Sequence, residues 1–293
     1  MNTPTIIDGN KVSREIFDEL KSKVSAGGIV PGLALILAGN DSSSEIYVKM
    51  KAKRCAELGY YSVTERLPET ATGDDILALI EKFNKDERIH GILVQLPLPA
   101  QINEMNVLEA VDYRKDVDGF HPINAGRLMI GEKCFVPCTP AGIVELMKRY
   151  NVKTSGANTV VIGRSNIVGK PIANLMLQKN EFANSTVTIC HSATKDITEH
   201  TRNADIIIAA IGKPGYLKGD MIKQGCVIID VGINRVEDTS EKKGYKIYGD
   251  VDFNSCAAKA SMITPVPGGV GPMTIAMLLK STYESALKMI YPK

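Results

Sequence analysis

Thr159-Val160-Val161-Ile162-Gly163-Arg164-Ser165-Asn166-Ile167-Val168-Gly169-Lys170-Pro171 is the stretch that decides the fold. A β-branched run ends in glycine, crosses a polar turn and reaches a second glycine ahead of a helical pattern. Glycine at a strand's end permits a tight turn. The helix that follows offers unpaired N–H groups and a positive dipole end to a pyrophosphate. The turn is not a strict GxGxxG, because Ser165 stands at the second glycine position, and taken alone it reads equally as a plain β–α turn. Its position argues for dinucleotide binding. Thr186–Cys190, Asp205–Gly212 and Cys226–Gly232 follow as further apolar runs with helices between them, a series that predicts a parallel sheet with right-handed crossovers.

The end of the second strand in this series bears on the cofactor. Readers of NAD place Asp or Glu there for the ribose 2′-hydroxyl. Here the chain reads Cys190-His191-Ser192-Ala193-Thr194-Lys195, without a carboxylate. Ser192 can donate to a 2′-phosphate, and Arg164 and Lys195 can supply charge, so NADP is favoured. Solvated surface charge is the plainer account of Lys195, less so of Arg164 inside the turn. Ala210–Pro214 and Asp230–Asn234 end later strands, and backbone near Gly212 and Ile233 either touches the ligand or simply turns.

Upstream of this series the pattern is also α/β. Val12, Ile16, Leu20 and Val24 mark a helix after Gly9, and Leu33–Ala38, Tyr61–Leu67 and His90–Leu96 read as strands. Helices are expected at Ser44–Leu58 and Asp74–Asn84, with an irregular stretch at Asp116–Gly126. Thr139-Pro140 predicts a helix start with Thr139 as N-cap and Pro140 at the first position. Glu237–Lys243 reads as a surface hairpin, and Met273–Ile290 as a closing amphipathic helix. The expected architecture is two α/β lobes with a cleft between them. Residues 1–120 with 273–293 form one, the closing helix packing back on it, and residues 140–270 form a Rossmann-like second.

The 293 residues carry 44% hydrophobic and 23% charged side chains and a net charge of +2, which excludes disorder and gives no basic surface for nucleic acid or anionic membranes. Trp is absent and aromatics reach only 5%, so no stacking platform for single strands is expected. No apolar run approaches the ~20 residues of a membrane span, and the N-terminus lacks a signal-peptide pattern. Six cysteines without a CxxC pair, beside four unclustered histidines, predict reduced thiols, no metal site and a cytoplasmic setting. Small molecules are the expected partners.

Several residues outside the turn carry candidate chemistry. Tyr47 and Lys51 share a helix face, as a surface pair or as a desolvated lysine oriented by tyrosine. Gln95 ends an apolar run ahead of Pro97-Leu98-Pro99 and must find partners, a site lysine among them. Lys115-Asp116-Val117-Asp118-Gly119 is an Asp-rich turn, or a cation loop short of oxygens. Thr264–Thr274, with its crowded glycines and prolines, forms a rigid loop against which a flat ligand can lie.

Together these segments resemble the bifunctional methylenetetrahydrofolate dehydrogenase/methenyltetrahydrofolate cyclohydrolase family. The likeness runs through IIDG (6–9), YVKMK (47–51), VQLPLP (94–99), KDVDGFHPINAGRL (115–128), PCTPAG (137–142), VVIGRSNIVGKP (160–171), AIGKPG (210–215), DVGIN (230–234) and TPVPGGVGPMT (264–274). It implies oxidation of 5,10-methylenetetrahydrofolate by NADP+, then hydrolysis of the methenyl product to 10-formyltetrahydrofolate, in a homodimer. Lys51 is implied as the proton carrier, with Tyr47 and Gln95 placing it. Asp118 is implied as the pterin's acceptor, and Pro267, Gly268 and Gly271 as the frame of the folate. Gly163, Arg164, Ser165, Ser192 and Ile233 are the implied cofactor contacts. One departure is Ser42-Ser43-Ser44, where the family commonly has Pro-Ala-Ser. A dehydrogenase with little or no cyclohydrolase activity is the nearest alternative, and a non-catalytic nucleotide-binding module is a more distant one.

Overall fold

The computed structural model describes residues 3–238 and 244–292. In chain order the elements are β1 (Thr5–Ile6), α1 (Gly9–Ser25), β2 (Gly32–Ala38), α2 (Ser42–Glu57), β3 (Tyr61–Leu67), α3 (Gly73–Lys85) and β4 (Gly91–Val94). Then come α4 (Glu104–Ala110), α5 (Pro122–Met129), α6 (Cys138–Arg149), β5 (Asn158–Ile162), α7 (Gly169–Leu177), β6 (Thr186–Cys190), α8 (Ile197–Thr201), β7 (Ile206–Ala209) and β8 (Val227–Asp230). β9 (Asn234–Glu237), β10 (Tyr245–Tyr248), α9 (Phe253–Ala257), β11 (Met262–Ile263) and α10 (Val270–Ala286) complete the chain. It divides into two compact units, Glu15–Cys138 with Ile275–Lys293, and Met1–Arg14 with Thr139–Thr274.

The first unit is built on a parallel sheet of order β3-β2-β4. Every residue of β2 is buried, which is why it reads as an unbroken apolar run rather than an alternating one. On one face Ala34, Ile36, Ile92 and Val94 pack against Ile76, Ile80 and Phe83 of α3 and Val107 of α4. Full burial of such side chains contributes roughly 1.5–3 kcal/mol each. α3 is fixed at its start by a capping box between Thr72 and Asp75. At its end Lys115 Nζ donates to the carbonyls of Phe83, Asn84 and Asp86. Tyr60 Oη donates to Leu279 O (3.0 Å) and Ser285 Oγ to His90 O (2.6 Å), holding the last part of α10 in this unit.

The second unit holds a six-stranded, all-parallel sheet of order β1-β11-β8-β7-β5-β6. β5 has β6 on one side and β7 on the other, so the strand order reverses beside β5, where open α/β sheets take their ligands. Val160, Ile162, Ile207 and Ile228 anchor the core.

Several expectations change. Residues 1–14 group with the six-stranded unit rather than with the first lobe, because Thr5–Ile6 pairs with Met262–Ile263 and extends that sheet. α6 begins at Cys138, one residue ahead of the expected cap. Thr139 is therefore inside the helix, and its Oγ1 lies 3.0 Å from Thr274 Oγ1. The stretch read as irregular contains α5, capped by His121, whose Nδ1 accepts from Ile123 N. α10 starts at Val270 and ends at Ala286, shifted toward the N-terminus of the expected span. β9 and β10 pair antiparallel on either side of the expected hairpin, whose residues 239–243 lie outside the described residues.

Candidate active site and cofactor edge

In the first unit the site begins with α2. Asp41 Oδ1 accepts from Ser44 N (2.7 Å), so the helix start rests on an aspartate cap. One turn separates the half-buried Tyr47 from Lys51, which is only 6% exposed. Lys51 Nζ donates to Gln95 Oε1 at 2.9 Å. Gln95 stands just past β4, its backbone N–H bonded to Ile36 O and its amide NH2 to Leu96 O, so its oxygen faces the lysine. The carboxylate of Asp118 also acts on the ammonium.

The electrostatics follow from burial. Desolvation lowers the Lys51 pKa from the ordinary lysine value, and the negative charge of Asp118 pulls it partly back. Burial raises Asp118, and the charge of Lys51 and then the neighbouring Cys138 thiol lower it, while Cys138 Sγ itself donates to Val117 O (3.5 Å). The Cys138 thiol is held well above its usual value, by burial first and then by Asp118, so it is a neutral donor. An amine more readily deprotonated than an ordinary lysine, an amide acceptor and a counter-charge suit reversible proton transfer.

The two aspartates of Lys115–Gly119 divide their work. Asp116 is 5% exposed and accepts from Phe120 N, His121 N and Asn124 Nδ2; burial pushes it up to about 7. It folds the turn, and Asp118 is left facing Lys51. Asn124, wholly buried, also bonds Tyr113 O, Phe135 N and Tyr291 Oη. Cys138 and Asn124 were not singled out by the sequence reading. An isolated thiol and an amide in a loop carry no local signal of what they meet in the fold.

In the second unit Gly163 has φ +128°, and a β-carbon there would fall 2.1 Å from Ala210 O, so only glycine fits between the ends of β5 and β7. Ser165 Oγ accepts from Val168 N (3.2 Å) and Gly169 N (3.3 Å), bracing the turn into α7. Among the described residues the backbone N–H groups of Arg164, Ser165, Asn166 and Ile167 have no protein acceptor. Four open donors ahead of a helix N-terminus fit a pyrophosphate. Arg164 and Ser192 are exposed at the ends of β5 and β6. Ile233, 51% exposed, follows β8 and lies 3.7 Å from where a β-carbon on Gly271 would stand. Pro267, Gly268 and Gly271 thus belong to the unit of the cofactor candidates, and Gly268 O accepts from Asn10 N (3.1 Å). A separate cavity of about 470 Å³ is lined by Asp230, Asp252, Val236, Tyr248 and Phe253, but both its carboxylates already accept backbone N–H groups.

Among the described residues no group of His, Cys, Asp and Glu is arranged to hold a metal ion, and no helix is long and apolar enough to cross a membrane. An all-parallel sheet whose reversal carries four open N–H donors, and in the other unit a buried lysine of lowered pKa, are features suited to a dinucleotide-dependent oxidoreductase with acid–base chemistry. Comparison with known proteins narrows the class. Residues 7–118 match the catalytic domain, and residues 137–290 the NAD(P)-binding domain, of tetrahydrofolate dehydrogenase/cyclohydrolase. A bifunctional protein FolD from Chlorobium chlorochromatii is 57% identical over 286 residues, covering 96% of this chain and 97% of that one. Among solved structures, the bifunctional FolD dehydrogenase/cyclohydrolase of Campylobacter jejuni is 48% identical with a TM-score of 0.91, over 97% of this chain and 99% of that one. The Trypanosoma brucei enzyme, complexed with NADP cofactor and inhibitor, is 37% identical with a TM-score of 0.93 over all of both chains. The chain belongs to the tetrahydrofolate dehydrogenase/cyclohydrolase family and is a bifunctional enzyme of that kind.

Proposed function

We propose that the chain converts 5,10-methylenetetrahydrofolate to 5,10-methenyltetrahydrofolate with NADP+, and then hydrolyses the methenyl bridge to give 10-formyltetrahydrofolate. The observation that carries this reading is the buried Lys51 amine, held by Gln95 and faced by Asp118, in a chain of this family. NADP+, when bound, supplies the hydride acceptor. The open N–H groups of residues 164–167 hold its pyrophosphate, and Arg164 and Ser192 take the 2′-phosphate. Pro267, Gly268 and Gly271 offer backbone to the flat folate, and Ile233 an apolar edge to the cofactor.

In the hydrolytic step Lys51, as the neutral amine, takes a proton from the water that attacks the methenyl carbon. It returns that proton to N5 as the carbon–N5 bond opens, and the hydroxyl proton of the intermediate leaves to solvent as the formyl C=O forms on N10. Asp118 accepts from the pterin amino group and ring N–H, while Tyr47 and Gln95 fix the lysine's place. Loss of hydride from a carbon between two nitrogens is assisted by their lone pairs, so dehydrogenation rests on positioning more than on an acid or base.

The formyl product suits donation to purine precursors. A homodimer in the cytoplasm is the working form we favour, and six free, buried cysteines suit a reducing compartment. The test is purified protein with 5,10-methylenetetrahydrofolate and NADP+, followed for NADPH and methenyl absorbance. NADPH with only transient methenyl is expected. Persistent methenyl would favour the dehydrogenase-only alternative, and no NADPH would overturn the reading.

A further inference from the structure

Asp230 ends β8 and Asp250 follows β10, and both carboxylates are buried. Asp250 Oδ2 accepts the N–H groups of Ile211 (2.7 Å) and Gly212 (2.9 Å), and its Oδ1 the amide NH2 of Asn234 (2.9 Å). Asp230 Oδ1 accepts from Gly232 N and Asp250 N, and its Oδ2 from Val251 N. Two glycines make room reciprocally. A β-carbon on Gly232 would fall 2.4 Å from Asp250 Oδ1, and one on Gly249 would fall 1.8 Å from Asp230 Oδ2. Asp230-Val231-Gly232 and Gly249-Asp250 are therefore one interlocked cluster, although a hairpin separates them in sequence.

Setting two buried carboxylates side by side opposes folding, and burial with the neighbouring charge pushes Asp230 up to about 7. What the arrangement secures is local. Its donors lie in the loop after β7, at Ile211 and Gly212, and in the segment running from the loop after β8 into the first residue of β9, at Gly232 and Asn234. The second of these carries Ile233. We infer that Asp250 is a positioning residue for the cofactor, tying the loops after β7 and β8 together so that Ile233 and the Gly212 backbone stand where a nicotinamide dinucleotide needs them. This rests on the reading that these loops receive NADP+.

Asp250→Asn tests it, because an amide keeps the size but has one acceptor oxygen, enough for Ile211 and Gly212 or for Asn234 but not for both. The Kd for NADPH, from its fluorescence, and the KM for NADP+ are expected to rise about tenfold. Cyclohydrolase turnover of added methenyltetrahydrofolate without NADP+ is expected to stay within about twofold of wild type. Asn234→Ala removes the amide that donates to Asp250 Oδ1 and to Tyr248 O and is expected to raise the same constants about threefold, and it decides the matter if Asp250→Asn does not fold. Unchanged NADPH affinity, or equal loss of both activities, overturns the inference. A wild type that binds no NADPH overturns the functional reading as well, whereas a wild type that binds, with variants equal to it, overturns the inference alone.

Discussion

In the unit built on β2 the groups assigned chemistry are side chains taken out of water, Lys51 at 6% exposure being the extreme. In the unit built on β5 the side chains assigned to the cofactor, Arg164, Ser165, Ser192 and Ile233, are exposed, and the side chains that are buried are the bracing behind them, Asp230 and Asp250. One unit changes the properties of a functional group by desolvation. The other leaves its functional groups ordinary and invests in where the backbone stands. A buried group of shifted pKa has no substitute, so its loss should cost orders of magnitude. An exposed contact is one among several and should cost a graded amount of affinity.

Lys51→Met is the sharpest way to break that contrast, and is expected to lower hydrolysis of methenyltetrahydrofolate about 10²–10⁴-fold. NADPH formation should persist while methenyl accumulates, observed by absorbance. The wild-type hydrolytic rate should climb with pH along a limb centred below the ordinary lysine value of 10.5, because burial lowers Lys51. Asp118→Asn should raise the folate KM about 10–100-fold through the loss of a charged acceptor. It should also move that pH limb lower still, since Asp118 now holds the Lys51 pKa up. Arg164→Ala should lower kcat/KM for NADP+ by about tenfold and leave any turnover with NAD+ unchanged, as suits an exposed contact.

The smallest effect is on stability. His90 Nδ1 accepts from Gly32 N at the first residue of β2, and burial lowers its pKa from 6.5. The unfolded chain therefore binds the proton more readily, so this contribution is present above pH 6.5 and is lost as pH falls toward the lower folded value. His90→Asn, whose side-chain oxygen accepts at any pH, should flatten the acid limb of the urea midpoint by less than about 1 kcal/mol.

Strands were the legible part of the fold. Tyr61–Leu67 and Thr186–Cys190 run between the residues the sequence reading gave them, because β-branched runs and bounding turns are local signals. The start of α6 was misplaced because Thr139 and Pro140 suit a cap, while the residue actually opening the helix is Cys138. α4 and α5 were missed; each is short and gives the periodic pattern few turns in which to show. In the site, Lys51, Gln95 and Asp118 were named before the structure placed them together. The Asp230–Asp250 cluster was not, since its meaning lies in two glycines and two loops brought together only by the sheet.

Neither unit is a continuous piece of chain. Thr5–Ile6 waits for Met262–Ile263 to complete the six-stranded sheet, and Tyr60 waits for Leu279. On the ribosome, then, Thr5–Ile6 stays without its strand partner until Met262–Ile263 has been made, while the core on β2 draws on residues 34–111 alone. A gene cut between residues 138 and 139 would separate the six-stranded sheet from its edge strand Thr5–Ile6, and Tyr60 from its acceptor at Leu279.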